Sequence, residues 1–117
     1  MRGVIIAEGL KDPALINRLA VCRTKITGEH LPVDDDGNTG RWHLYWVELD
    51  PSTIAEVQRN TRHGWYTHFW EGDRLVIVYD DAVFEATRSD RSTWWGAIAH
   101  GRSQGIPDDE LDFLTDE

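Results

Sequence analysis

The sequence is poor in cysteine, in basic residues and in long apolar runs. Cys22 is the only cysteine among 117 residues, which excludes an internal disulfide and any cysteine-rich zinc site. No apolar stretch approaches the roughly 20 residues of a membrane-spanning helix. The apolar run that follows Met1-Arg2 stops at Glu8, too early for a secretory signal. A soluble cytoplasmic protein without membrane contact is expected. Lysine and arginine number 12 against 21 aspartates and glutamates, a net charge of −9. The imbalance runs from +2 over residues 1–33 to −11 over 34–117, so phosphate backbones are repelled and direct nucleic-acid binding is disfavoured. Nucleophile-elbow, His-Glu-x-x-His and phosphate-cradling glycine motifs are missing, as are internal repeats.

What the chain does have is the composition of one globular domain over residues 1–117. At 40% apolar and 28% charged it can bury a core without disulfides or a structural metal. Gly3 to Ala7 is a continuous apolar run, the mark of a central strand covered on both faces. Asp12-Pro13 and Asp50-Pro51 each pair an N-cap with a proline suited to the first helical position. The first opens a short helix carrying Leu15, Ile16 and Leu19. The second opens a helix with Ile54 and Val57 that is predicted to end at His63-Gly64. Between them lie a half-exposed strand over 21–27, a long acidic loop over 28–40, and a strand over 41–49. That last strand carries Trp42, Leu44 and Trp46 on one face and His43, Tyr45 and Val47 on the other, so both faces are expected to be covered.

Residues 64–87 read as a three-stranded meander. Gly72-Asp73 fits a two-residue hairpin turn, which sets Glu71 opposite Arg74, Trp70 opposite Leu75, His68 opposite Ile77 and Tyr66 opposite Tyr79. A second turn at Asp80-Asp81 places Phe84 beside Ile77. Ser89 or Asp90 caps a last helix with Trp94, Ala97, Ile98 and Gly101 on one stripe, stopped by Gly105-Ile106-Pro107. An acidic tail over 107–117 carries Leu111, Phe113 and Leu114, expected to dock weakly or await a partner. The fold class is therefore α+β, with a mixed or mainly antiparallel sheet of about five or six strands and two main helices on one face, ordered β-α-β-β-α-β-β-β-α.

Functional candidates cluster around Gly64 to Trp70, which packs four aromatic rings and His68 into seven residues. Strand alternation sends Tyr66, His68 and Trp70 to the better core face and Trp65 and Phe69 to the other. Trp65 and Phe69, with Trp42, Trp46 and Trp95, are the expected binding residues, because aromatics are enriched at binding hot spots. Adjacent Trp94 and Trp95 cannot both point inward from one helix.

Candidates for chemistry are weaker. His43 and His68 with Glu48 form an acid/base or zinc set only if separate strands bring them together. His68 reads more readily as a hydrogen-bonded core histidine, and Cys22, next to Arg23, as a buried inert thiol. Asp34-x-Asp36-x-Asn38 resembles the start of a calcium loop, but Thr39 stands where glycine is required and Tyr45 where the closing glutamate is required. No metal and no cofactor are expected. The favoured reading is a non-enzymatic binding or regulatory module that uses an aromatic sheet surface and the 28–40 loop to recognise a protein, a second copy of itself as a homodimer, or a small ligand. The alternatives are a small hydrolase or transferase using His43, His68 and either Glu48 or the Asp34 to Asp36 run, and an acidic mimic of nucleic acid.

Overall fold

In the computed structural model residues 1–27 and 41–113 are described; the loop expected over 28–40 and the last four residues of the tail lie outside them. Six strands are found there: β1 (Arg2–Ile6), β2 (Ala20–Ile26), β3 (His43–Glu48), β4 (Tyr66–Glu71), β5 (Arg74–Tyr79) and β6 (Val83–Thr87). They form one sheet in the order β2-β3-β1-β4-β5-β6, each neighbour antiparallel to the next. The class is α+β, with two main helices, α1 (Ile54–Arg59) and α2 (Trp95–Ser103).

β1 is central, as its apolar run predicts. Val4 faces one layer of core and Ile5 the other. The hairpin register matches the predicted pairs, Glu71 opposite Arg74 through Tyr66 opposite Tyr79, with Phe84 beside Ile77. Gly72 supports it with φ of 58°, a conformation that glycine adopts without strain at the first position of such a turn.

The helices lie on opposite faces of the sheet, not together on one. Val57 of α1 packs with Ile5, Val47, Phe69, Val76 and Val78, whereas Trp94 and Ala97 of the last helical segment pack with Trp70, Leu75, Ile77 and Tyr79. The reason is the composition of β4 and β5, which are apolar on both sides; one helical layer would leave Val76, Val78 and Phe69 in water. β3 and β4 both run antiparallel to β1, and α1 lies in the connection between them.

Three helical details differ from expectation. The first helical segment is a 3-10 helix, Pro13–Arg18, although Asp12 caps it as predicted by accepting from the Ala14 N–H at 3.0 Å. α1 ends at Arg59 instead of His63, because the following residues hydrogen-bond another segment: Asn60 accepts from the Lys11 N–H at 2.7 Å and the Arg62 N–H donates to Gly9 at 2.8 Å. The tail docks firmly, with Leu111 and Phe113 buried in the same core as Trp94. α2 itself ends as predicted: Gly105 has φ of 83°, and the Ile106 N–H reaches back to the Gly101 carbonyl at 3.0 Å, the double-back that caps a helix with a left-handed glycine.

Candidate functional site

Among the described residues, the face of the sheet that carries α2 is covered over only half its width. α2 and the segment to Phe113 lie on β4, β5 and β6. Trp94 Nε1 donates to the Thr87 carbonyl at 2.9 Å, and the Tyr79 hydroxyl donates to the Ala97 carbonyl at 2.6 Å. Gly101 makes this approach possible: a Cβ there would stand 2.4 Å from Leu111 and 2.7 Å from the Tyr79 hydroxyl oxygen. Phe113 then seats edge-on against Tyr66, ring centroids 5.2 Å apart at 89°. Beyond Tyr66 the same face continues over β1, β3 and β2 as a groove, with the C-terminal segment as its wall.

The groove consists of two adjoining cavities that share Ile6 and Tyr66. The first, about 370 Å³, is bounded by the rings of Trp42, Trp65 and Tyr66, by Ile6 and Ile106, and by Asp109 and Glu110. The second, about 280 Å³, runs along Val4, Leu44, Trp46 and His68 between Arg23 and Lys25 on one side and Asp112 on the other. Arg23 and Lys25 stand on the groove face because they pair with Trp46 and Leu44 in the strand register, and the Arg23 guanidinium lies 4.4 Å from the Trp46 ring centroid.

The walls are held from behind. The Tyr66 hydroxyl donates to the Glu110 carbonyl, and burial pushes the phenol well above its ordinary pKa, so it stays protonated. Burial, then the neighbouring Asp109, holds the Glu110 carboxyl above its ordinary range. Trp42 and Trp65 pack edge-on, centroids 5.5 Å apart at 63°. Trp65 in turn covers Gly9, where a Cβ would stand 2.9 Å from its ring.

The residues expected to bind are thus divided. Trp42, Trp46 and Trp65 line the groove; Trp65 does so beside Tyr66 and not on the opposite face with Phe69, because it precedes β4 and escapes the strand alternation. Phe69 does not reach any surface: it is fully buried on the opposite face, its ring filling the space over Gly3, where a Cβ would lie 2.0 Å from it. Alternation sends Phe69 to that face, and the space over Gly3 lets its ring be buried there. Trp95 is 64% exposed on the outer side of α2 with Arg102 over its ring at 5.2 Å, away from the groove.

The expected catalytic set does not assemble. His43 pairs with Glu8, Nδ1 to Oε2 2.8 Å, on the face of β3 opposite to Trp46. His68 is buried on the groove face, stacked on Trp70 at 5.6 Å. Glu48, at the other end of β3, lies beside Arg2 at 3.7 Å. Strand alternation separates the two histidines by the thickness of the sheet. Among the described residues no group of three or more His, Cys, Asp or Glu is placed to hold a metal ion. Cys22, expected to be buried, is exposed because β2 is an edge strand. Glu8 and the Asp109-Glu110 pair were missed; only the chain's return from α2 could have revealed the latter.

Comparison with family models, with curated proteins and with solved structures gives no match. Among the described residues no helix is long and apolar enough to cross a membrane.

Proposed function

We propose that this is a small cytoplasmic binding module that takes a ligand into the aromatic groove of its half-covered sheet face. One observation carries the reading: among the described residues, two adjoining cavities, lined by Trp42, Trp65, Tyr66 and Trp46, lie open on a sheet face whose other half is closed by α2 and Phe113. A concave, mainly apolar site with a few charged groups at its margin is the usual form of a small-ligand site. The acids of the described residues do not favour the mimicry alternative, since they are spent locally on different elements. Asp50 and Asp90 cap helices, Glu56 pairs with Arg18, and Asp108 pairs with Arg102. The separation of His43 from His68 removes the support for the hydrolase or transferase alternative.

The test is a thermal-shift screen of mixed small molecules and short peptides, repeated on W42A and L44E. Ligands that raise the wild-type midpoint and lose their effect in both variants support the groove. Ligands that act equally on all three proteins would refute it.

A further inference from the structure

Resting on the groove reading, we infer that the first cavity is a site for a small organic cation, an alkylated ammonium. The cavity has two kinds of wall. Trp42, Trp65 and Tyr66 present ring surfaces, and the 63° angle between the two indoles gives them different orientations around one space. Asp109 and Glu110 line it from the C-terminal segment and make that wall acidic. No lysine or arginine is among the described residues that line it; Arg23 and Lys25 belong to the neighbouring cavity.

Each ligand class meets these walls differently. An anion is repelled by two carboxylates and by the excess of 21 acids over 12 bases in the chain. A neutral apolar ligand suits the rings but takes water from the carboxylates and returns nothing. A primary ammonium suits the carboxylates but is strongly hydrated and gives up that hydration against the rings. An alkylated ammonium spreads its charge over methyl groups that suit ring faces while its charge is attracted to the acidic wall, the combination of aromatic cages that hold quaternary amines. The volume of about 370 Å³ is that of a small-molecule site.

The cage is also preformed. Trp65 is seated on Gly9, the Trp42 backbone N–H donates to Thr27 Oγ1 at 2.7 Å, and the Tyr66 hydroxyl donates to the Glu110 carbonyl. Little ordering is left to do on binding.

The probes are choline and its uncharged carbon isostere 3,3-dimethylbutan-1-ol, followed by the indole N–H signals of the full chain in NMR titrations, with Trp42 and Trp65 assigned from W42F and W65F. Choline is expected to shift those two signals, and the isostere to bind about tenfold more weakly. D109N/E110Q is expected to bind choline about tenfold more weakly with no loss of thermal stability, because burial disfavours the Glu110 charge that it removes. Choline binding should also weaken as the pH falls through the raised Glu110 pKa.

An isostere that matches choline, a carboxamide variant that binds choline as well as wild type, or a guanidinium probe (arginine methyl ester) that binds more tightly would each overturn the assignment. Such binders would leave the groove reading intact, provided they still act through Trp42. If no probe moves Trp42 or Trp65 and the library screen is also empty, both readings fall. A trimethyl-lysine peptide that outcompetes choline keeps the ammonium and moves its source to a partner protein.

Discussion

At the scale of single residues, two contacts carry sharp consequences. Gly3 and Phe69 face each other across β1 and β4, and the ring occupies the place of the missing side chain. G3A is expected to destabilise by about 1–3 kcal/mol through overpacking, and F69A by about 3–5 kcal/mol through the cavity that it leaves. Because they share that space, the double variant should lose less than the sum of the two, as denaturant unfolding of all four proteins would reveal. The second contact is His100 with Asp81, Nε2 to Oδ1 2.7 Å, in a cluster with His63, Asp80 and the Gln104 amide. The hydrogen bond from His100 holds the Asp81 carboxyl below its ordinary 3.8. A depressed folded-state pKa contributes stability that is present above the ordinary value and lost as the pH falls below it. D81N should therefore flatten the acid limb of a stability-versus-pH curve; an unaltered acid limb would contradict this role.

At the scale of elements, the position of α2 decides whether the groove exists. Its approach to the sheet depends on Gly101, and its end depends on Gly105. G101A drives a Cβ into Leu111 and the Tyr79 hydroxyl. It is expected to cost about 1–3 kcal/mol and to loosen the segment that forms the groove wall, so indole signals of both Trp94 and Trp65 should shift. G105A meets nothing within 4 Å but must hold φ of 83°, and should cost only about 1–2 kcal/mol with those signals in place. The contrast separates packing from backbone strain in thermal unfolding and NMR of the same two proteins. The aspartate caps at Asp12 and Asp50 were legible, and the third was narrowed to Ser89 or Asp90, because the mechanism is local: a carboxylate accepts from the N–H two residues on at Asp12, Asp50 and Asp90. The end of α1 was not, since it is set by pairing with Gly9 and Lys11 some 50 residues away.

At the scale of the whole molecule, the described residues cover a six-stranded sheet by different elements on its two faces and leave part of one open. β1, β4 and β5 lie inside the sheet, while β2 is exposed along its full length at one edge. Native-state hydrogen exchange is expected to be slowest in β1, β4 and β5 and fastest in β2; protection of β2 equal to that of β5 would point to a partner strand on that edge.

What the sequence determined by itself is whatever depends on short-range chemistry. The period-2 alternation and the Gly72-Asp73 turn specified the meander register to the residue, because a slip of one position would send every core side chain to the other face. The Asp-Pro pairs and Gly105 marked where helices start or stop. The tertiary structure alone decided which helix covers which face, that Phe69 fills the space over Gly3, and that His43 meets Glu8 and not His68. It also decided that Asp109 and Glu110 return to stand beside Trp42 and Trp65. These pairings join residues up to about 70 positions apart, and their partners are chosen by which surfaces remain to be buried once the sheet has formed.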